Sequence, residues 1–273
     1  MSRPGHPLRG GGRVSILCYH GVEPGWRSPL ALSPQSFAQQ AAWLKANRGV
    51  LPLDDAVRVL DRSFQLPRGV AALTFDDGFA GLFTHALPVL QRLRLPATVF
   101  LVAQTLQPGG RVVDWVDTPP AEPLRTLSVE QVLAMQEAGI SFGSHSFQHR
   151  DLTELSDEEC LRDLRQSREL LEDLLLRPAP FLAYPRGRHN ERVRRAAQDA
   201  GFTHAFALPE GREAFGPYAV PRVGVWAHNG LGIVRMKTSR WYLALRTGRL
   251  YGVFRHAKSA RRQPRSMSAA GGK

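Results

Sequence analysis

A short apolar run that ends in two carboxylates limits the fold of this chain more than any other stretch. Val70 to Phe75 is apolar and β-prone and follows a Pro-Arg-Gly breaker, so it predicts a buried strand. Asp76 and Asp77 come directly after it, and Gly78 allows a tight turn into a predicted helix. α/β folds place their active sites at the C-terminal ends of such strands. The pair predicts either a site, which would need a cation beside two adjacent negative charges, or a polar turn that caps the helix.

Strands alternate with helices along the rest of the chain. Ser33, Ser128 and Ser156 are N-cap residues of predicted helices, and Gly201 closes another one. Seven strands are predicted, at Val14–Cys18, Val70–Phe75, Ala97–Val102, Ile140–Phe142, Pro180–Ala183, Thr203–Ala207 and Val220–Val225. This alternation predicts an α/β fold with a mostly parallel sheet, most simply a closed or nearly closed barrel whose C-terminal strand ends converge.

The net charge of +12 is concentrated at the C-terminal end. Eleven of the 36 Lys and Arg residues lie in 235–273, which contains no Asp or Glu, so the preceding residues hold 25 basic and 24 acidic groups. This nearly neutral body does not suggest nucleic-acid binding. We expect a disordered leader (1–12), a barrel domain (13–230), a basic, aromatic-rich helical extension (231–256) and a disordered basic tail (257–273).

The extension has two interpretations. Its mixture of aromatic, aliphatic and arginine residues is typical of a basic helix that lies on an anionic membrane surface. The arginines do not segregate to one face, however, and Gly248 and Gly252 weaken a helix, so docking of the extension onto the barrel fits equally well.

The cellular location is predicted from the N-terminus and the cysteines. Residues 1–12 lack an apolar core, which argues against a secretory signal peptide, and no stretch reaches the roughly 18 apolar residues of a membrane-spanning helix. Cys18 and Cys160 are too few for a disulfide framework and are expected to be reduced. We therefore expect a cytoplasmic protein that could touch an anionic membrane through its tail.

Two histidines supply what the carboxylate pair lacks. His145 and His149 are four residues apart at the end of a later predicted strand, so they face the same way on a turn-like segment. Alone, such a pair would most simply be two surface or core histidines. Two imidazoles and one carboxylate form the donor set of a catalytic zinc site, which leaves positions open for water and substrate. One Asp can then bind the metal while the other stays free as a base.

Three motifs carry a resemblance to a known family. The stretches 74–78 (TFDDG), 145–149 (HSFQH) and 184–187 (YPRG) resemble, in order and spacing, those of polysaccharide deacetylases, the NodB-homology or family 4 carbohydrate esterases. The resemblance covers roughly residues 13 to 226. The stretch 19–22 (YHGV) and the long loop before the histidines resemble the branch that deacetylates bacterial poly-N-acetylglucosamine.

The resemblance implies a fold and a set of roles. The fold would be a distorted, incomplete (β/α) TIM-like barrel of the NodB type, circularly permuted. Asp77, His145 and His149 would hold a divalent metal, usually zinc, and Asp76 would be the general base that takes a proton from water as it attacks an acetamide carbonyl. Tyr184, Pro185 and Arg186 would lie at the substrate, where the backbone N–H of Arg186 stabilises the oxyanion.

The resemblance places the general acid, which protonates the departing amine, near the start of the chain. In the permuted branch the strand that carries the acid comes first, which points to His20; the alternative is a structural histidine bonded to backbone.

Two positions depart from the family pattern. Ala183 stands where members commonly carry an arginine that pairs with the base, so Arg222 or Arg186 would have to supply that charge. Arg186 itself replaces the usual aromatic residue after the proline. Candidates for stacking on a sugar ring, or else for ordinary packing, are Tyr184, Trp115 and Trp226.

The leading hypothesis is a metal-dependent hydrolase that removes acetyl groups from N-acetylated sugars. A second hypothesis is a catalytically impaired carbohydrate-binding protein on a deacetylase scaffold, motivated by the missing arginine. A third is a membrane or nucleic-acid adaptor that acts through the tail, which leaves the metal-binding pattern without a purpose.

Overall fold

The computed structural model describes residues 15–63, 65–209, 215–239 and 241–242. The predicted leader and the predicted basic tail lie outside the described residues, as does the predicted extension from residue 243 onward. Membrane contact through these segments therefore stays a prediction.

Parallel strands form the centre of the molecule. In chain order the strands are β1 (Ile16–Tyr19), β2 (Gly21–Val22), β3 (Ala31–Leu32), β4 (Gly49–Val50), β5 (Val70–Phe75), β6 (Thr98–Leu101), β7 (Ser141–Ser144), β8 (Phe181–Ala183), β9 (His204–Ala207), β10 (Val220–Pro221) and β11 (Val223–Gly224). β2 and β3 pair with each other, and the other nine form one parallel sheet. Both faces of its central strands are buried, which explains why they are apolar throughout rather than alternating.

The sheet is nearly closed into a barrel. Its strands follow the order β10-β9-β8-β7-β6-β5-β1-β11, with β4 paired to β5 outside this path. The two end strands of this path, β10 and β11, are consecutive in the chain. β10 pairs with β9 and β11 pairs with β1, so the chain crosses the gap that separates the two edges of the sheet. The path holds eight strands instead of the predicted seven: the single strand predicted at Val220–Val225 is divided at Arg222, next to Pro221, which has no N–H for a sheet hydrogen bond.

Helices cover the outside of the barrel. They are α1 (Pro34–Asn47), α2 (Leu53–Ser63), α3 (Leu87–Leu93), α4 (Val129–Glu137), α5 (Asp157–Leu175), α6 (Glu191–Asp199) and α7 (Leu231–Lys237). Ser33, Ser128 and Ser156 cap α1, α4 and α5 as predicted, the last two in reciprocal capping boxes. None of the helices in the described residues is long and apolar enough to cross a membrane.

One helix begins later than its sequence pattern predicts. The helix predicted directly after Gly78 starts only at Leu82, as a π-helical turn at Leu82–Ala86, and continues as α3. Phe79 instead forms an antiparallel bridge with Thr126, so the loop that precedes α4 is tied to the chain just after the Asp pair. This tie places the long loop over the C-terminal ends of the strands.

Candidate metal centre and active site

Three predicted ligands converge at the C-terminal ends of β5 and β7. Asp77 Oδ1 lies 3.7 Å from His145 Nε2 and 3.3 Å from His149 Nε2, and all three side chains are buried. His145 Nδ1 is 2.8 Å from the carbonyl oxygen of Ala183. Because a carbonyl can only accept, Nδ1 carries the proton, and the lone pair of His145 Nε2 is left facing Asp77.

The backbone is unusual where the ligands sit. Asp77 (φ 69°), Ser146 (φ 66°) and His149 (φ 56°) all adopt left-handed conformations, which non-glycine residues seldom do. Gly78 also has a positive φ, and a Cβ there would lie 2.6 Å from Leu101 Cδ2. Such conformations cluster at functional sites, where the surrounding structure holds them.

The electrostatics of the three ligands fit a divalent cation. Burial and, secondarily, the negative charge of Asp76 raise the pKa of Asp77 to about 8, so its carboxylate needs positive charge to be stable at neutral pH. One ligand atom from each residue lies within 4.8 Å of the others. Two imidazoles and a carboxylate are the donors that a catalytic metal takes while it keeps open positions.

The second carboxylate has its own cation. Asp76 Oδ1 accepts from Arg222 Nη1 at 2.6 Å and Asp76 Oδ2 accepts from Arg222 Nη2 at 2.7 Å, with the guanidinium fully buried over the ring of Phe100. Thr74 Oγ1 also accepts from Nη1, at 3.2 Å, and Cys18 Sγ donates to Asp76 Oδ2 at 3.3 Å. Burial by itself would raise the pKa of Asp76, but Arg222, with smaller contributions from His145 and His20, holds that pKa below its usual range.

This ion pair answers the question raised by Ala183. Of the two arginines considered from the sequence, Arg222 forms the pair with Asp76, whereas Arg186 contacts other groups. The two adjacent aspartates are thus divided. Asp76 stays ionised beside a fixed guanidinium, and Asp77 faces two imidazoles.

His20 lies beside the predicted base. Cys18, His20 and Asp76 each place one polar atom within 4.8 Å of the other two, and the His20 ring stacks on Trp226 with centroids 5.4 Å apart. Burial lowers the pKa of His20 to about 4, so it is neutral at pH 7 and would have to gain a proton during a reaction to act as an acid. Its Nδ1 atom is buried without a hydrogen-bond partner among the described residues.

Comparison with known proteins now identifies the family. The model of the polysaccharide deacetylase family matches residues 65–205, which is just over half of the chain. The chain belongs to the polysaccharide deacetylase family. YxkH of Bacillus subtilis (strain 168) is 26% identical over 216 residues, covering 78% of this chain and 71% of the relative. The poly-beta-1,6-N-acetyl-D-glucosamine N-deacetylase of Staphylococcus epidermidis is 26% identical over 207 residues, covering 71% and 67%.

A solved structure confirms the barrel of this polysaccharide deacetylase. IcaB from Ammonifex degensii superposes with a TM-score of 0.68 at 25% identity, over 84% of this chain and 98% of that one. The predicted distorted, incomplete TIM-like barrel is therefore correct. His20 and Arg222 lie outside the residues matched by the family model, and the fold brings both of them next to Asp76.

The substrate wall of this family member differs from the prediction. Tyr184 is completely buried, and its hydroxyl donates to the carbonyl of Tyr218 at 2.9 Å. The expected contact of Tyr184 with substrate is therefore corrected: its side chain packs in the core. Pro185 opens a short 3₁₀ turn in which Arg186 has φ 57°, and the oxyanion role of that turn stays a prediction.

The two candidate tryptophans lie at different sides of the site. Trp115 stacks on His149 with centroids 5.0 Å apart, and its Nε1 donates to Asp77 Oδ1 at 2.9 Å. Trp226 stacks on His20. Both rings border the groups expected to do chemistry, and Trp115 also bonds to one of them, a contact that the sequence did not predict.

Sequence reasoning missed the residue that supports the histidine motif. Asp163 of α5 is buried and accepts from the backbone N–H groups of Phe147 at 2.8 Å and Gln148 at 3.3 Å. Ser146 Oγ completes the turn by accepting from the backbone N–H of His149 at 2.9 Å. A signal was present, because Asp163 is the one charged residue on the buried face of α5, beside four apolar residues and Ser167.

Replacing Asp163 by Asn should loosen the turn that carries both histidines. The amide would turn an NH₂ group toward one of the two backbone donors, so we expect a loss of about 1–3 kcal/mol in unfolding free energy together with weaker binding of a divalent metal. Denaturant unfolding and a chelator competition measure the two effects. Asp173→Asn, at an exposed position of the same helix, is the control and should change neither. An unaltered Asp163→Asn variant would contradict the supporting role.

Proposed function

We propose that this protein is a metal-dependent N-deacetylase that hydrolyses the acetamide groups of N-acetylated glycans. The observation that carries the proposal is that the adjacent carboxylates of Asp76 and Asp77 have different partners. Asp77 faces His145 and His149 within 3.7 Å, and Asp76 is held ionised by Arg222. Metal-dependent amide hydrolysis needs one carboxylate as a metal ligand and another as a base, and we assign these roles to Asp77 and Asp76.

The chain's own groups account for the proton transfers. When bound, a divalent ion supplies Lewis acidity, which polarises an amide carbonyl and lowers the pKa of water. Asp76 accepts the proton of the attacking water, since Arg222 keeps it ionised and fixes both carboxylate oxygens. His20, within 4.8 Å of Asp76 and neutral at pH 7, is proposed to take up this proton from Asp76 and to pass it to the departing amine. The backbone at Arg186 is proposed to stabilise the oxyanion.

The relatives favour a specific substrate class. The Staphylococcus epidermidis relative is named for deacetylation of poly-beta-1,6-N-acetyl-D-glucosamine. We therefore propose a polymer or oligomer of N-acetylglucosamine as substrate and Zn²⁺ as the metal. A location in the cytoplasm and a contact of the basic tail with anionic membranes stay predictions.

The structure removes the reason for considering a carbohydrate-binding protein without activity. That hypothesis was based on Ala183, where the family's arginine is missing. Arg222 pairs with Asp76 through two hydrogen bonds instead, so the proposed base has the positive charge that keeps it ionised.

Acetate release tests the proposed function. The zinc-loaded protein should release acetate from β-1,6- and β-1,4-linked N-acetylglucosamine oligomers, and the glycan should gain one free amine for each acetate. Binding of these oligomers without any acetate release would instead support the carbohydrate-binding hypothesis.

Each of the three proposed ligands should be necessary for tight Zn²⁺ binding. We expect Asp77→Asn, His145→Ala and His149→Ala to lower Zn²⁺ affinity by more than about 100-fold, beyond the loss typical of a residue that only supports a ligand. Metal analysis after dialysis measures the effect. His228→Ala, at an exposed histidine, is the control and should keep one Zn²⁺ per chain. Full metal content in any of the three ligand variants would rule that residue out.

A further inference from the structure

We propose that Trp115 is a positioning residue for the metal-binding carboxylate, and that Arg186 holds Trp115 in place. The inference rests on the proposed metal site. The Trp115 N–H donates to Asp77 Oδ1, the same oxygen that faces His145 and His149. A carboxylate oxygen has two lone pairs, so it can accept this hydrogen bond and still bind a cation.

The indole restrains two ligands at once. Its hydrogen bond fixes the rotation of the Asp77 carboxylate, and its ring covers the imidazole of His149 at a 24° interplanar angle. Partners of this kind orient metal ligands, and their removal typically lowers metal affinity by about 10–100-fold. Trp115 is 8% exposed, so little water competes for its N–H.

The loop that carries Trp115 is irregular yet well anchored. Val113 and Val116, on either side of it, pack against a small apolar cluster that contains Trp26 and Phe79. Trp26 Nε1 donates to the carbonyl of Thr118 at 2.6 Å. These contacts tie the loop to the segment between β2 and β3 and to the turn after the Asp pair, so the position of the indole is set before any substrate binds.

Arg186 anchors the backbone of Trp115 itself. Its Nη2 donates to the carbonyl of Trp115 at 3.1 Å, and its Nη1 lies 3.6 Å from Asp117 Oδ1. Asp117 is exposed, so the bond to the Trp115 carbonyl carries the argument, and the ion pair adds little. By the motif resemblance, Arg186 stands where the family usually has an aromatic residue. The structure assigns the aromatic wall of the metal site to Trp115, with Arg186 as its support.

Zn²⁺ affinity of three variants tests this inference. Trp115→Phe keeps a ring but removes the N–H, and we expect its affinity for Zn²⁺ alone, measured by competition with a chromophoric chelator, to fall by about 10–100-fold. The visible absorption of the Co²⁺-loaded protein should change as well, because the ligand geometry changes. Trp226→Phe, which alters the ring beside His20, is the matched control and should bind Zn²⁺ as the wild type does.

The role of Arg186 is tested in the same assay. Arg186→Met should lower Zn²⁺ affinity by less than Trp115→Phe, and its effect should be smaller when Trp115 is already Phe, because the N–H that it helps to position is gone. An equal effect of Arg186→Met with Trp and with Phe at position 115 would overturn its supporting role. Trp115→Phe with wild-type affinity and an unchanged Co²⁺ spectrum would overturn the inference alone, provided that the wild type binds Zn²⁺ and releases acetate. A wild type that binds no Zn²⁺ would overturn the proposed function as well.

Discussion

Replacing Asp76 by Asn is expected to lower the rate of acetate release by about 10²–10⁴-fold, the usual contribution of a general base. The amide cannot take the proton of the attacking water. Zn²⁺ binding should persist, because Asp77, His145 and His149 are untouched. Metal content and acetate release, measured on the same preparation, separate the two roles.

The buried guanidinium complicates this variant and needs a control. Asp76→Asn leaves Arg222 without its carboxylate, and an uncompensated buried charge costs about 3–5 kcal/mol of stability. The double variant Asp76→Asn with Arg222→Met removes both charges and should recover much of that stability while staying inactive. Activity near the wild-type level in either protein would exclude Asp76 as the base.

Replacing Arg222 by Met should have the second-largest effect. Asp76 would then be a buried carboxylate without its main cation, so stability should fall by about 3–5 kcal/mol and its pKa should rise. A base that is protonated at neutral pH cannot accept a proton, and acetate release should fall with it. Chemical denaturation and the rate of acetate release at pH 7 measure both consequences.

Moving the arginine gives a sharper test of the same pair. Arg222→Met combined with Ala183→Arg places the guanidinium where other family members commonly carry it. We expect this double variant to release acetate faster than Arg222→Met alone, because the charge returns to Asp76. Ala183→Arg alone should destabilise the protein, since Ala183 is fully buried and Asp76 is already paired with Arg222. No recovery in the double variant would show that Arg222 does more than replace the family's arginine.

Local patterns were sufficient to predict that the candidate metal ligands and the candidate base lie close together. Asp76 and Asp77 follow an apolar strand, and His145 and His149 follow another, so the barrel brings them together at its C-terminal end. His20 was placed in the site from the resemblance, and the structure puts it beside Asp76. Short-range signals of this kind, an N-cap serine or an apolar run, depend on neighbouring residues only.

Contacts that depend on long-range packing could not be predicted. Arg222 was one of two candidates, and its choice depends on the closing of the barrel between β10 and β11, 146 positions after Asp76. Trp115 lies in a loop without periodicity, so the sequence identified the aromatic ring but not its hydrogen bond. Tyr184 was misplaced because its motif gives its position after β8 but not the direction of its side chain.

The most direct test of the account is a zinc titration of the chelator-stripped protein, with acetate release followed at each step. We predict that release is abolished by stripping, rises in proportion to added Zn²⁺ and reaches a plateau at one Zn²⁺ per chain. Asp77→Asn should stay inactive over the same range. Full acetate release from the stripped protein, or from Asp77→Asn, would contradict a metal centre formed by Asp77, His145 and His149.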